Sequence, residues 1–208
     1  MQFLSVNNLN QHISVFPDQS HDLLRSICRD YTFNFHVKKS RQTKLGDFRY
    51  PIKNEVPVIT VNRDENKYRV LMTFLHELAH LIVYLDKGRS RNPHGPRWKQ
   101  TYSNLLDIFY QKNIFPEKLK ESVYHHILKP KASSYADVRL LKALREYDAE
   151  KDTLTLIELP ENQLFRLNNG KVFEKLEKRR SRILCREIDS KKKYLIHGHA
   201  EVVPVNNL

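Results

Sequence analysis

Cysteine is almost absent from this chain of 208 residues, in which Cys28 and Cys185 are the only two. Two cysteines cannot form a disulfide framework, and they cannot supply the four thiolates of a cysteine-only zinc site. Such sparse use is typical of proteins in a reducing compartment. We therefore expect a cytoplasmic protein without structural disulfides.

Long apolar runs are also missing. The apolar stretch at residues 81–85 is far too short to cross a bilayer. The first residues have neither a basic start nor a sustained apolar segment, so we expect no signal peptide and no membrane partner. Hydrophobic residues make up 40% of the chain and charged residues 29%, a balance that favours a globular protein over a disordered one.

Acidic residues are too few to balance the basic ones, and the formal net charge is +12. Residues 1–147 hold 24 Lys and Arg against 14 Asp and Glu, whereas residues 148–208 hold 12 against 10. A basic surface can bind nucleic acid by neutralising phosphates, or it can serve only solubility. Charge alone does not separate these two interpretations.

The residue pattern predicts an α+β domain over residues 1–148 and a small β-rich domain over residues 149–208. A short helix over residues 19–29 precedes three strands, FNFHVKK, FRYPIKN and VPVITVN. We expect the first two strands to form a hairpin whose turn contains Gly46. A long helix follows, with Asn62 as its N-cap and Gly88 at its end, and three more helical stretches come after it.

The second domain consists of short apolar runs separated by turn residues, which predicts four to six strands in hairpins. A one-sided sheet buries alternate side chains of each strand. On that basis the expected core is Leu164, Leu167, Phe173, Ile183, Tyr194, Ile196 and Val202.

The segment LHELAHLIVYLDKGRSRNPHGPRW, residues 75–98, carries the clearest chemistry of the chain. His76 and His80 are four residues apart, so on a helix they share one face and can reach one ion. Glu77 stands beside the first histidine. The apolar positions of the same helix form a stripe on the opposite side: Leu71, Leu75, Leu78, Ile82 and Leu85.

A catalytic zinc site needs a third protein ligand and one open position. His94 is the best candidate, because Gly88, Pro93 and Gly95 allow the chain to turn back towards the helix. Three carboxylates are weaker rivals, since they lie too far along the chain or point elsewhere: Asp86, Glu117 and Glu121.

The acidic residue within the motif separates catalysis from a purely structural metal. Zinc lowers the pKa of its bound water towards 7, and Glu77 would accept the proton of that water and pass it to the leaving amine. A structural zinc site would have no use for Glu77 and would need a fourth protein ligand. A structural metal and the absence of any metal remain the alternatives.

At these residues the sequence resembles the SprT-like family of zinc metallopeptidases, which includes the Spartan proteases of DNA–protein crosslink repair. The resemblance covers roughly residues 20–110, from SRQTKLGDFRYP and VPVITVN to the HExxH and HGPRW elements. It implies a zincin-like fold, one zinc ion held by His76, His80 and His94, and Glu77 as the acid/base. Many members carry a C-terminal zinc ribbon with paired CxxC motifs, which this chain lacks.

DNA is the partner that the basic residues and the resemblance jointly suggest, beside protein substrates. The candidate phosphate contacts lie on the expected hairpin and around the metal loop: Lys38, Lys39, Arg41, Lys44, Arg49, Lys87, Arg89, Arg91 and Arg97. Binding of this kind would not depend on base sequence.

Other chemically suggestive residues have simpler interpretations. We expect the His125–His126 pair on a solvated helix face, and His197 and His199 as plain strand residues. Two aromatic residues near the motif favour packing roles over substrate contact: Tyr84 and Trp98. The basic run at residues 178–182 is a solvated hairpin or a phosphate contact.

Three functions therefore compete. The first is a zinc endopeptidase that acts on DNA-associated proteins. The second is a metal-containing nucleic-acid-binding or regulatory module that cleaves little, and the third is a structural zinc domain for protein contacts. The intact Glu77 favours the first.

Overall fold

The computed structural model describes residues 7–39, 41, 44–53, 55–132, 137–148, 154–179, 182–198 and 200–205. Internal contacts divide the chain into two compact units, Met1–Ala149 and Glu150–Leu208. The first unit mixes helices with a three-stranded sheet, and the second is built of strands. Within the described residues, no helix is long and apolar enough to cross a membrane.

The first unit begins with two short 3-10 segments, Leu9–Val15 and Asp18–Ser20. Its strands are β1 (Asn34–Lys38), β2 (Gly46–Arg49) and β3 (Val58–Asn62). Its helices are α1 (His21–Cys28), α2 (Lys67–Lys87), α3 (Pro96–Gln111), α4 (Glu117–Leu128) and α5 (Val138–Arg145).

The order of the sheet corrects the expected hairpin. Strand β3 lies between the other two, parallel to β1 and antiparallel to β2, so β1 and β2 do not pair. The most apolar strand takes the centre because both of its neighbours cover it, and Ile59 and Val61 are fully buried. Gly46 is therefore the first residue of β2 and not the turn of a hairpin.

Helix α2 begins four residues later than the sequence suggested. Asn66 is its N-cap, with a side-chain oxygen that accepts a hydrogen bond from the Arg69 N–H at 3.1 Å. Asn62 instead ends β3, where its side-chain amide donates to the carbonyl oxygens of Arg41 and Lys44. The prediction that Gly88 ends the helix is confirmed, with φ at 73°.

Near its start, α2 is buried on more sides than the predicted stripe covers. Near its end, less of the stripe is buried than predicted. Leu71, Leu75 and Leu78 are fully buried as expected, but Leu85 is 54% exposed. Phe74 is also fully buried, on a different side. The helix packs against the sheet and against α3, so most of its circumference is covered except near its C-terminus.

The second unit forms one six-stranded antiparallel sheet, which agrees with the expectation of four to six strands. Its strands are β4 (Leu154–Thr155), β5 (Leu164–Arg166), β6 (Val172–Arg179), β7 (Arg182–Glu187), β8 (Lys193–His197) and β9 (Glu201–Val205), in the order β4-β9-β5-β6-β7-β8.

The core of this unit differs from the expected one at two positions. Phe173, Ile183 and Val202 are buried as predicted. In β5 the inward residue is Phe165 and not Leu164, because the alternation is offset by one position. Tyr194 is 40% exposed on the edge strand β8. His199 lies outside the described residues.

Candidate metal centre

Three histidines converge beside the middle of α2. The Nε2 atoms of His76 and His80 lie 3.3 Å apart, and each is 3.1 Å from Nε2 of His94. Zinc–nitrogen bonds of about 2.0–2.1 Å place tetrahedral ligand nitrogens about 3.3–3.4 Å apart. The donor set therefore fits a metal ion. Among the described residues, it is the one group of three or more His, Cys, Asp or Glu side chains that could hold one.

A short reversal after α2 brings His94 to the other two histidines. Gly88 ends the helix in the left-handed region that glycine adopts at little cost. The N–H of Gly95 donates to the carbonyl of Asn92 at 3.1 Å, and Pro96 begins α3. Glycine and proline thus fix both ends of the segment that carries His94.

Trp98 supports the three imidazoles from behind. Its ring lies 4.5 Å from that of His76, 5.4 Å from that of His80 and 4.6 Å from that of His94, measured between centroids. The indole N–H also donates to the His76 carbonyl at 3.3 Å, and the side chain is only 1% exposed. The prediction that Trp98 is a packing residue is confirmed.

Tyr84 also has the packing role expected of it. It lies on the rim of the site, where its ring contacts those of Phe48 at 6.0 Å and Tyr50 at 5.3 Å. These rings form an aromatic edge beside His80, whose imidazole stacks on Phe48 at 6.2 Å.

Burial keeps the three histidines neutral. Desolvation lowers the pKa of His76 well below its usual range, and the neighbouring histidines lower it further. The same cause lowers the pKa of His80 to about 4 and also lowers that of His94. A metal binds the neutral imidazole, so at neutral pH no proton has to leave these rings before an ion enters.

Glu77 lies under strand β2 and is 7% exposed. Burial raises the pKa of its carboxyl group to about 8, with a further contribution from Asp47, while a backbone hydrogen bond from Phe48 opposes the shift. A Cβ atom on Gly46 would stand 2.7 Å from Oε1 of Glu77 and 2.7 Å from Cγ2 of Thr73. Any side chain at residue 46 would therefore force the side chains of Glu77 and Thr73 to shift.

A cavity of about 430 Å³ connects these groups. It follows the face of α2 that carries Arg69, Thr73, Glu77 and His80, with β2 on one side and α4 and α5 on the other. From Arg69 to His80 the helix rises about 16 Å, which is also the length of about five residues of extended peptide. The cavity can therefore accept an extended segment of polypeptide.

The structure corrects the expectation for one member of the His125–His126 pair. His125 is exposed as expected, but His126 is 2% exposed and lines the cavity. Its Nδ1 atom lies 2.7 Å from Oδ2 of Asp137, the N-cap residue of α5. Packing of α5 on α4 buries the ring, and the sequence around His126 does not predict that contact.

The candidate phosphate contacts differ in whether their side chains are exposed to solvent. Eight of the nine are exposed: Lys38, Lys39, Lys44, Arg49, Lys87, Arg89, Arg91 and Arg97. Arg41 instead turns inwards and donates to Asn62 at 2.7 Å and to Thr60 at 3.0 Å.

Several of the exposed charges have partners nearby. Lys44 pairs with Asp47 at 2.9 Å, and Arg89 lies over the ring of Tyr50 at 5.1 Å. Around the metal loop, Lys87 and Arg97 share the carboxylate of Asp86, at 3.4 and 3.8 Å, so most of the positive charge there remains at the surface.

Comparison with known proteins gives one match. The model of the SprT-like family matches residues 18–125, just over half of the chain, and this range includes the three histidines and Glu77. Searches of curated proteins and of solved structures found no significant match. The family is metallopeptidase-like, which agrees with a histidine triad that could hold a metal beside a buried glutamate. The chain belongs to the SprT-like family.

Proposed function

We propose that this protein is a zinc-dependent endopeptidase with a zincin-like catalytic domain. One observation carries the proposal: three converging imidazole nitrogens and the buried carboxylate of Glu77 line the same open cavity. A structural zinc site would be closed by a fourth protein ligand, whereas the group found among the described residues has three. Membership of the SprT-like family supports the same conclusion.

The side chains divide the chemistry between them. His76, His80 and His94 would hold zinc, which supplies Lewis acidity to a carbonyl and lowers the pKa of a water molecule. The charge of a bound zinc ion would favour the ionised form of Glu77 despite its burial, and the carboxylate would then take the proton from that water and later deliver it to the amine of the departing peptide. Trp98 keeps the imidazoles in place, so that the geometry does not have to form anew when substrate binds.

An extended substrate has a place to bind. In the described sheet β2 is an edge strand, and it lies along the cavity beside Glu77. An edge strand offers unpaired backbone groups to a further extended chain. Binding through backbone groups along an open cavity favours cleavage within a chain, hence an endopeptidase.

The Glu77→Gln variant tests the catalytic assignment. Gln preserves the size of the side chain but cannot accept a proton, so zinc content should be unchanged and cleavage of an unfolded protein substrate should fall at least about 100-fold. The measurement is a proteolysis assay on zinc-loaded protein with and without single-stranded DNA. Equal cleavage rates for the parent and the variant would exclude Glu77 as the base.

We further propose that the substrates are proteins associated with DNA, held near the site through exposed basic residues. Arg89 and Arg91 on the metal loop and Lys38 and Lys39 at the end of β1 support this proposal. The alternative is a metal-containing nucleic-acid-binding module that cleaves little, and the same basic surface is the observation in its favour.

The double variant Arg89→Glu, Arg91→Glu tests the DNA proposal. Each lost phosphate contact should weaken binding and flatten its dependence on salt, while zinc content stays constant. DNA affinity is measured by titration at two salt concentrations. Unchanged affinity would exclude the metal loop as the contact surface. DNA binding by a parent chain that cleaves no substrate would favour the alternative function.

A further inference from the structure

His126 lines the same cavity as the three metal-binding candidates, and the ring of Tyr102 lies 5.7 Å from that of His126 and 5.5 Å from that of His76. His126 lies on α4, and its Nδ1 atom is 2.7 Å from Oδ2 of Asp137. Oδ1 of the same carboxylate accepts a hydrogen bond from the Leu140 N–H at 3.2 Å, which caps α5. Both oxygens of Asp137 are thus assigned, and together they fix the orientation of the His126 ring.

The contact with Asp137 also determines which ring nitrogen carries the proton. A carboxylate only accepts hydrogen bonds, so Nδ1 of His126 must be the donor. Burial lowers the pKa of this histidine, although Asp137 acts in the opposite direction. In the neutral ring Nε2 is then a hydrogen-bond acceptor.

Nε2 of His126 is available to a ligand. Among the described residues, Asp137 is the hydrogen-bond partner of this ring, and the ring lines the cavity. No fully buried side-chain nitrogen or oxygen of those residues lacks a partner, so Nε2 must be reachable from the cavity.

The surroundings of His126 are mostly apolar. Met72, Tyr102, Leu140 and Leu144 line this part of the cavity, and all four are buried side chains. The half-buried Lys131 adds one positive charge close to His126. Apolar walls with one hydrogen-bond acceptor favour a side chain that has an apolar stem and a donor at its tip. The nearby ammonium group disfavours a cationic side chain.

We propose that the part of the cavity around His126 is a substrate subsite, with His126 as its specificity-determining residue. It takes a side chain with an apolar stem and an uncharged hydrogen-bond donor at its tip, a carboxamide or a hydroxyl. The inference rests on the proposed peptidase function, because the cavity continues from this subsite to Glu77 and the three histidines.

The test measures peptide binding to the zinc-loaded full chain that carries Glu77→Gln, so that no hydrolysis is required. Peptides carry Gln, Met, Glu or Lys at one position at a time, with the rest of the sequence constant. At one position Gln should bind about 3- to 10-fold more tightly than Met, the contribution of one hydrogen bond. Glu should lose that advantage because its tip cannot donate a hydrogen bond. Lys should lose it because the ammonium group of Lys131 repels its charge.

Three further substitutions assign the preference to a residue. His126→Leu should abolish the preference for Gln, whereas His125→Leu, at the exposed neighbouring position, should retain it. Asp137→Asn can keep the cap on Leu140 only by turning its NH₂ group towards His126. Nδ1 must then accept, Nε2 becomes a donor, and the preference should shift from Gln towards Glu.

Two results would overturn the subsite: no position that distinguishes Gln from Met, or a preference that both His126→Leu and Asp137→Asn leave unchanged. Asp137→Asn keeps the test decisive if His126→Leu does not fold. Cleavage by the parent chain reports separately on the peptidase. A cleaving parent without selectivity dependent on His126 refutes only the subsite, and selective binding without cleavage refutes only the peptidase.

Discussion

Gly46 occupies a position where any other residue would disturb the base proposed for catalysis. Its Cα faces α2, and a Cβ there would come within 2.9 Å of Cγ and 2.7 Å of Oε1 of Glu77. The first residue of β2 cannot retreat, because it is paired with Val61 of β3. The neighbouring Glu77 side chain would have to move instead.

Gly46→Ala should therefore leave zinc binding intact and slow catalysis. A displacement of a reacting group by about 1 Å can cost about 100-fold in rate, and we expect a loss in kcat of that order with little change in KM. Steady-state kinetics and zinc content check the prediction. The double variant Gly46→Ala, Thr73→Ser removes the other close contact, so recovery of full activity there would assign the defect to Thr73 and not to Glu77.

Which site residues could be predicted from the sequence depends on how local their geometry is. His76 and His80 follow from helical spacing alone, and His94 follows from the glycine and proline residues around it. His126 could not be predicted, because its partner Asp137 is eleven residues away and meets it only when α5 packs on α4. The contact between Gly46 and Glu77 could not be predicted either, because Glu77 lies in another element and a local reading of Gly46 favours a turn.

At the scale of elements, Asn66 joins the start of α2 to the end of α5. Its oxygen caps the helix at Arg69, and its NH₂ group donates to the Leu144 carbonyl and to Asp148, each at 2.7 Å. The residue is 1% exposed, so the polar atoms of its own side chain depend on these partners and not on bulk water.

Asn66→Ala should lower the free energy of unfolding by about 2–3 kcal/mol, through the lost cap and the unpaired buried groups. Urea denaturation followed by circular dichroism gives the value. Asn104→Ala, on the exposed side of α3, is the matched control and should change stability by less than about 0.5 kcal/mol. Equal effects of the two substitutions would refute the structural role of Asn66.

The types of the elements followed from sequence more closely than their pairing did. Gly88 ends α2 and Pro96 begins α3, and both act through their own backbone conformation. The pairing of β1 depends on β3, which lies more than twenty residues later, so local turn residues wrongly favoured a hairpin. The predicted N-cap of α2 was wrong for a related reason. Asn62 ends β3, and its side chain bonds to Arg41 and Lys44 from an earlier part of the chain.

At the scale of the whole molecule, the proposed chemistry belongs to the first unit, Met1–Ala149. The same part of the chain carries nearly all of the positive charge surplus. In the second unit, the residues that the structure describes contain no group of three metal-binding side chains. The buried Cys185 there packs in the apolar core, where burial raises its pKa to about 12. Burial of this kind does not favour the thiolate that binds metals.

Zinc stoichiometry and coordination, measured together on the purified full chain by elemental analysis and X-ray absorption at the zinc edge, test the central claim most directly. We predict one zinc per chain, with three imidazole nitrogens at about 2.0–2.1 Å, one oxygen and no sulfur. His94→Ala should lose one nitrogen from this shell and most of the affinity. A sulfur ligand, a second tightly bound zinc, or an unchanged coordination shell in His94→Ala would contradict the proposed centre.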